Sequence, residues 1–149
     1  MTIDFVKYDQ SFLSPSEKWL TDPEIKTLTN AGSFSKEDQL NWFNSLSQKT
    51  NYFIWGIEIS GIKIGACGLK NISQTDCEYW GYIGEKEYWD KGIGTQILKM
   101  MESKAIELGL KSIWLQVLLH NAAAISLYVK NGYQVESTDA ALQHMRKKI

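Results

Sequence analysis

One segment constrains the fold of this chain more than any other, because it joins two β-strands through a long helix. CEYWGYIG (residues 77–84) and KSIWLQVLL (residues 111–119) both have the composition of strands. Between them, apolar residues recur at the spacing of one helix face: Ile97, Leu98, Met101, Ala105 and Leu108. Gly109 then suits the end of that helix. Such a crossover predicts a parallel strand pair in the middle of a sheet.

The N-terminal half predicts antiparallel strands and short helices. IDFVKY is typical of a first strand, and one or two short helices are expected in residues 14–30. Ser35, with Asp38 three residues later, indicates the start of a further helix. YFIWGIEIS, a turn at residues 60–61 and IKIGACGLKNI then predict a hairpin, which continues as a meander into the strand of residues 77–84.

The C-terminal half predicts one more helix and two strands. Asn121 is a favourable N-cap for AAAISLYVK, which Asn131 and Gly132 would end. YQVES and ALQHMRKK predict the last two strands, and the second of these could be an edge strand that pairs between subunits. We therefore predict an α/β (layered α+β) fold: a mixed, mostly antiparallel sheet of six to seven strands with about four helices. No repeat or linker divides the chain, so residues 1–149 are expected to form a single domain.

Composition and charge exclude several classes of function. The formal net charge of -1 gives no electrostatic case for nucleic acid or an anionic membrane. Apolar runs are too short to span a bilayer, and the first ten residues alternate rather than form a signal peptide. Cys67 and Cys77 are too few for a disulfide framework or a zinc site, so we expect no metal and a reducing, cytoplasmic location.

The stretch WDKGIGT (residues 89–95) predicts an anion site at the start of the long helix. A dinucleotide fingerprint would need a small residue at Ile97, and a P-loop would need its lysine after the glycines, so both are excluded. Gly92 and Gly94 leave the main-chain N–H groups at the helix start unobstructed, and Lys91 and Thr95 can add donors. The residues therefore indicate a diphosphate, but not the molecule that carries it.

Two motifs identify the molecule through a family resemblance. Gly92 and Gly94 match the glycine signature of the GNAT superfamily of acetyl-CoA-dependent N-acetyltransferases, and half of the chain resembles that family. The downstream pattern of the family is matched by Asn121, Ala124, Leu127, Tyr128, Gly132 and Tyr133. The resemblance implies a GNAT-like fold in which the central parallel strands splay apart to admit acetyl-CoA. The basic or amide residue that opens the signature is Trp89 here, so Lys91 and the main chain would have to hold the phosphates.

The resemblance also implies which residues bind acetyl-CoA. The pyrophosphate would lie on the main chain of Gly92, Ile93, Gly94 and Thr95. The pantetheine arm would pair with the preceding strand at Tyr82, Ile83 and Gly84, and Asn121, Ala124 and Tyr128 would complete the cofactor site. Gly81 and Gly84 within a strand pattern are expected to serve a bulge or the close approach of another group.

Direct attack by the acceptor amine in a ternary complex would need no enzyme nucleophile. In this mechanism, Tyr128 is expected to donate a proton to the departing thiolate, because the ordinary pKa values of a thiol and of tyrosine are close. Glu78 is our first candidate for the proton acceptor; Trp80 and Tyr82 would share its strand face. A solvated strand-edge glutamate is the alternative. His120 is a second candidate, although it also suits an ordinary loop histidine.

The sequence says least about which amine accepts the acetyl group. The N-terminal segments resemble small bacterial enzymes that acetylate nucleotide-linked amino sugars, of the pseudaminic-acid pathway type, and also ribosomal-protein N-terminal acetyltransferases. We expect a small-molecule amine, with the amino group of a nucleotide-linked sugar favoured. Peptide N-terminal acetylation and a non-catalytic acetyl-CoA sensor remain open, as do a monomer and a homodimer.

Overall fold

The computed structural model describes all residues from Met1 to Ile149 and contains seven strands and five α-helices. Their order along the chain is β1 (Asp4–Lys7), α1 (Leu13–Thr21), α2 (Pro23–Leu28), α3 (Lys36–Ser45), β2 (Phe53–Ile59), β3 (Ile62–Lys70), β4 (Asp76–Ile83), α4 (Ile93–Glu107), β5 (Ser112–Leu118), α5 (Ala122–Lys130), β6 (Gln134–Asp139) and β7 (Leu142–Lys148). Short 3-10 turns lie at Gln10–Phe12, Leu46–Gln48 and Lys86–Tyr88.

All seven strands form one mixed sheet in the order β1-β2-β3-β4-β5-β7-β6. Every neighbouring pair is antiparallel except β4 and β5, which are parallel. The predicted fold class, with its central parallel pair, is thus confirmed. There are five α-helices rather than about four, because residues 14–30 hold two: Asp22 ends α1 and caps α2, with Pro23 in the first turn of α2.

The parallel pairing is short, and this creates the opening in the sheet. Only Asp76–Glu78 of β4 pairs with Ser112–Trp114 of β5. Beyond that point β4 stays paired with β3 as far as Ile83, while β5 stays paired with β7 as far as Leu118. The two strands therefore diverge, as the resemblance implied.

The predicted helix ends are confirmed. Ser35 and Asp38 form a reciprocal capping box at the start of α3. The side chain of Asn121 accepts a hydrogen bond from the main-chain N–H of Ala124 and so caps α5. Gly109 follows α4 with φ of +82°, and Gly132 follows α5 with φ of +94°, as expected where a helix ends in the left-handed region.

The predicted edge strand is wrong. ALQHMRKK forms β7, which lies inside the sheet between β5 and β6. It pairs with β5 over seven residues, from Ser112–Lys148 to Leu118–Leu142, and its Met145 is fully buried. The C-terminal edge is instead β6, whose residues are all exposed.

The two faces of the sheet are covered by different helices. On one face α4 packs its predicted apolar stripe into the larger core, where Ile97, Leu98, Met101 and Ala105 are all buried. On the other face the N-terminal helices enclose an aromatic cluster that contains Tyr8, Phe12 and Trp19. None of the helices is both long and apolar enough to cross a membrane.

Candidate active site

A single large cleft passes through the opening between β4 and β5. Its volume is about 1190 Å³. Its walls come from the N-termini of α4 and α5, from the diverging strands and from the segment between α2 and α3. The cleft therefore reaches both faces of the sheet, so that two molecules could enter it from opposite sides and meet at the point where the strands part.

The N-terminus of α4 presents unpaired main-chain donors to this cleft. Gly92 precedes the helix with φ of +78°, and no side chain caps the helix start. The first backbone bond into the helix runs from the N–H of Gln96 to the carbonyl of Gly92 at 3.4 Å. Residues 92–95 line the cleft, so the N–H groups of the first turn and the positive end of the helix dipole are available to an anion. Lys91, by contrast, is exposed and lies outside the cleft lining.

The second glycine of the stretch also has a packing role. A Cβ atom on Gly94 would lie 2.8 Å from Cδ2 of Leu127 on α5, closer than side chains tolerate. The absence of a side chain thus lets α5 pack against the start of α4. The hydroxyl of Thr95 is linked to the same helix, because it accepts a hydrogen bond from Nδ2 of Asn131 at 3.4 Å.

The start of α5 is tied to α2 across the cleft. Besides capping α5, Asn121 donates from Nδ2 to the main-chain carbonyl of Leu28 at 3.1 Å. The adjacent His120 places Nε2 2.7 Å from the carbonyl oxygen of Thr27. A carbonyl oxygen only accepts, so Nε2 carries a proton and is unavailable as a base. Both residues therefore hold the N-terminal helices over the cleft.

The free edge of β4 can be read from its pairing with β3. The N–H of Gly84 donates to the carbonyl of Ile64 at 2.6 Å, and the carbonyl of Tyr82 is also turned toward β3. Main-chain groups of an antiparallel strand alternate between its two sides. The residues whose main chain turns away from β3 are therefore Tyr79, Gly81 and Ile83. Because the parallel pairing of Glu78 with Trp114 uses the N–H of Tyr79, only the carbonyl of Tyr79 faces the opening, together with the main chain of Gly81 and Ile83.

Trp89, which replaces the basic or amide residue of the family signature, forms a hydrogen bond to β4 that the sequence did not predict. Its indole Nε1 donates to the carbonyl of Ile83 at 2.9 Å and so occupies one acceptor on the free edge of β4. Of the three residues expected to pair with pantetheine, only Ile83 turns its main chain toward the opening. Tyr82 still lines the cleft, whereas Gly84 is not among the lining residues.

The strand glycines accommodate the protein's own side chains. A Cβ on Gly81 would lie 2.4 Å from the hydroxyl of Tyr79, and one on Gly84 would lie 2.2 Å from the ring of Trp19. Close approach was expected at both positions, but these approaching groups are aromatic side chains. No register shift interrupts the pairing of β4 with β3.

Tyr128 stands on α5 beside the point where the strands part. Its ring packs against Tyr79 at a centroid distance of 6.3 Å and against Tyr133 at 5.9 Å. Burial raises the pKa of Tyr128 to about 12, because the phenolate would be poorly solvated there. The side chain lines the cleft together with Ala124 and Asn121, so the structure brings these three predicted residues together.

Glu78 is the last residue of β4 to pair with β5 and is only 7% exposed. Its Oε1 accepts a hydrogen bond from Nδ2 of Asn71 at 2.8 Å, and no salt bridge neutralises it. Glu78 lines the cleft, and its Oε2 forms no hydrogen bond within the protein, so this oxygen can accept one from a ligand. The alternative of a solvated edge glutamate does not fit this burial.

The face of β4 that carries Glu78 continues as a row of aromatic rings. Trp80 stacks on Tyr82 at 6.3 Å between centroids, and Tyr52 tilts against Trp80 at 6.5 Å. All three line the cleft, and we call them the aromatic wall. The predicted sharing of one face by Glu78, Trp80 and Tyr82 is thus confirmed. No group of three or more His, Cys, Asp and Glu side chains is arranged to hold a metal ion.

Sequence analysis missed two residues of the cleft, Tyr79 and Lys70, and also Asn71, which binds the Glu78 carboxylate from outside the cleft lining. Tyr79 follows Glu78 directly, but nothing local indicated that it would meet Tyr128. Asn71 and Lys70 lie at the end of β3, where Lys70 is the cross-strand partner of Glu78. Counting the register through the predicted hairpin and meander could have found that pair.

Comparisons with known proteins agree with this geometry. The model of the acetyltransferase (GNAT) family matches residues 17–133. The PaiA N-acetyltransferase of Thermoplasma acidophilum, solved with coenzyme A, has a TM-score of 0.79 at 26% identity, with 100% of both chains covered. No curated protein sequence matches the chain significantly.

Two further structures share the fold at lower identity. The Campylobacter jejuni N-acetyltransferase PseH has a TM-score of 0.74 at 19% identity, covering 99% of this chain and 96% of that chain. The spermidine N-acetyltransferase of Vibrio cholerae, solved with CoA and spermine, has a TM-score of 0.85 at 16% identity, covering 98% and 95%.

Proposed function

The chain belongs to the acetyltransferase (GNAT) family, and on that premise we propose that it transfers an acetyl group from acetyl-CoA to the amino group of a nucleotide-linked sugar. The observation that carries this proposal is the continuity of the cleft. It joins the uncapped start of α4 and Tyr128 to a buried carboxylate, Glu78, that is followed by the aromatic wall.

The residues present fit acetyl-CoA on one side of the opening. The first-turn N–H groups of α4 suit a pyrophosphate, because they are uncapped and lie at the positive end of a 15-residue helix. The free groups on this edge are the carbonyl of Tyr79, both main-chain groups of Gly81 and the N–H of Ile83. They suit the amides of the pantetheine arm, which would bind as an added strand does. Asn121 contributes indirectly, since both of its amide atoms are engaged within the protein.

When bound, acetyl-CoA supplies the acetyl group as an activated thioester. The acceptor must present a neutral amine, so Glu78 takes the ammonium proton, directly or through water. The amine nitrogen then forms the new bond to the acetyl carbon while the carbon–sulfur bond breaks. Tyr128 protonates the departing thiolate, and its raised pKa keeps it protonated at neutral pH. The nitrogen gives up a second proton as the amide forms. That proton returns to Tyr128 through water, and the proton held by Glu78 is released to solvent, so one proton is produced for each amide formed.

The aromatic wall supports a sugar or a nucleotide base as the part of the acceptor next to the amine. Flat rings bind the apolar faces of pyranoses and stack on bases. Trp80 and Tyr82 follow Glu78 at the two-residue spacing of one strand face, so a ring on this wall can place its amino group beside the carboxylate.

Thiol release from acetyl-CoA tests the proposal. The acceptors should be a nucleotide-linked amino sugar, the corresponding free amino sugar, spermidine and a peptide with a free N-terminus. We expect the highest kcat/KM for the nucleotide-linked sugar. A preference for the peptide would favour protein N-terminal acetylation. Binding of acetyl-CoA without thiol release on any acceptor would indicate a sensor and overturn the proposal.

A further inference from the structure

One cationic side chain in the cleft has no partner. Among the residues that line the cleft, Lys70 is the only lysine or arginine. It is half-buried at the end of β3 and forms neither a salt bridge nor a side-chain hydrogen bond within the protein. Desolvating an ammonium group without compensation is costly, so an unpaired lysine in a cleft is suited to an anion supplied by a ligand.

Lys70 does not form a salt bridge with Glu78, the carboxylate opposite it in the sheet. Lys70 and Glu78 are cross-strand partners, and residues paired in this way stand about 5.5 Å apart at their Cα atoms. The Glu78 carboxylate nevertheless binds Nδ2 of Asn71 at 2.8 Å. The cleft thus offers, side by side, a carboxylate for a cation and an ammonium for an anion.

A second cation stands near the same end of the aromatic wall. The ammonium nitrogen of Lys49 lies 5.1 Å from the ring centroid of Tyr52 and also has no carboxylate partner. Lys49 is exposed, so it would contribute at the rim rather than within the cleft. Both lysines belong to elements other than α4: Lys70 ends β3, and Lys49 lies in the segment before β2.

From this arrangement we propose that Lys70 binds an anionic phosphate of the acceptor. The acceptor then carries its amine and its phosphate about one sugar ring apart, as an amino sugar linked to a nucleoside diphosphate does. Glu78 holds the amine, Lys70 the phosphate, and the aromatic wall the ring or the base. This assignment rests on the proposed function and makes Lys70 a specificity-determining residue. It also disfavours polyamines, because their second amino group would meet the Lys70 ammonium.

The first test compares kinetics on acceptors with and without phosphate. Lys70→Gln should raise KM for the nucleotide-linked amino sugar at least roughly tenfold, the loss expected for a hydrogen bond to a charged group. The KM values for the free amino sugar and for acetyl-CoA should stay within about twofold. Lys70→Arg should restore most of the loss. Lys99→Gln is the matched control, since Lys99 is exposed on α4 and outside the cleft.

An equal rise in KM for the free amino sugar would overturn the proposal, because Lys70 would then act without phosphate. A rise in KM confined to acceptor amines that carry a carboxylate, such as free amino acids, would also overturn it. Lys70 would then bind a carboxylate instead of a phosphate.

The second test does not depend on turnover. UDP is titrated, with tryptophan fluorescence as the readout, in the presence of saturating CoA so that the start of α4 is filled. Lys70→Gln should weaken UDP binding at least roughly tenfold relative to the wild type, and Lys99→Gln should not. Unchanged UDP affinity would overturn the role of Lys70 even if the enzyme acetylates amino sugars. Weakened UDP binding without turnover of any acceptor would overturn the proposed function and leave the anion site standing.

Discussion

Tyr128 and Glu78 are the two residues on which the proposed chemistry depends. They stand on different elements, α5 and β4, and both line the cleft near the point where the sheet opens. Their surroundings differ in kind: the phenol has no hydrogen bond within the protein, whereas the carboxylate is held by Asn71. Each can therefore be changed with a different expected effect on the reaction.

For Tyr128→Phe we expect kcat to fall by roughly 10²-fold or more, the contribution typical of general acid catalysis. KM for acetyl-CoA should change little, because the ring keeps its contacts with Tyr79 and Tyr133. Steady-state thiol release measures both constants. Tyr88→Phe is the matched control, since Tyr88 lies outside the cleft lining. Unchanged turnover in Tyr128→Phe would remove this residue from the mechanism.

For Glu78→Gln we expect a fall in kcat/KM of at least roughly 10²-fold at neutral pH, because the amide cannot accept the ammonium proton. The amide oxygen can still accept the hydrogen bond from Asn71, so the fold should be preserved. The rate of the variant should recover as pH rises and more of the acceptor amine becomes neutral in solution. A pH–rate profile that superimposes on that of the wild type would exclude Glu78 as the base.

At the scale of elements, the start of α4 can be tested against a glycine in an equivalent conformation. Gly92 has φ of +78° and Gly61 in the β2–β3 turn has φ of +82°, with open space around both. Alanine at either position should cost roughly 1–2 kcal/mol of stability, the strain of a left-handed residue. Only Gly92→Ala should also raise KM for acetyl-CoA, because only Gly92 presents the α4 donors. An equal rise in Gly61→Ala would refute a specific role for Gly92.

Local signals explain which elements could be predicted from the sequence. Asn121 and Gly109 mark helix ends through interactions within a few residues, and the spacing of Asn121 and Tyr128 places both on the cleft side of one helix. The hydrogen bond from Trp89 to Ile83 could not be predicted, because it depends on how the chain turns between β4 and α4.

The prediction that ALQHMRKK forms an edge strand was wrong because the order of strands in a sheet also depends on contacts between distant parts of the chain. Both C-terminal strands are short and largely polar, and nothing in either one indicates its neighbours. The burial of Met145 depends on the packing of β7 beside β5, a contact across about thirty residues of chain that a local pattern does not record. Lys70 was missed for the same reason, since its position opposite Glu78 depends on strand register.

At the scale of the whole molecule, the aromatic and thiol groups of the interior predict a loss of stability in alkali. Burial raises the pKa of Cys67 and of Tyr128 to about 12 and that of Cys77 to about 11. Burial also raises the pKa values of other tyrosines: Tyr52, Tyr79, Tyr82 and Tyr133. The unfolded chain therefore releases these protons at lower pH than the folded chain does.

Because the folded state then binds more protons, the free energy of unfolding should fall as pH rises above about 9, where unfolded thiols ionise, and more steeply above about 10. Each group contributes a slope of about 1.4 kcal/mol per pH unit between its two pKa values. Urea unfolding at about pH 8 and about pH 10.5 measures the effect. Cys67→Ala should make the first part of the decline shallower, and a flat profile would contradict the prediction.

The short pairing of β4 with β5 has a consequence for the protein when no ligand is bound. A strand whose main-chain groups lack partners is normally confined to the margin of a sheet, where it invites unwanted association. In this protein such an unpaired edge lies within the sheet, where β4 separates from β5 under α4 and α5. Trp89 occupies one carbonyl acceptor on that edge. Binding of an amide-bearing molecule there amounts to completing the sheet. The amides of Gly81 and Ile83 should accordingly exchange with solvent deuterium faster than their neighbours, and become protected when CoA completes the sheet.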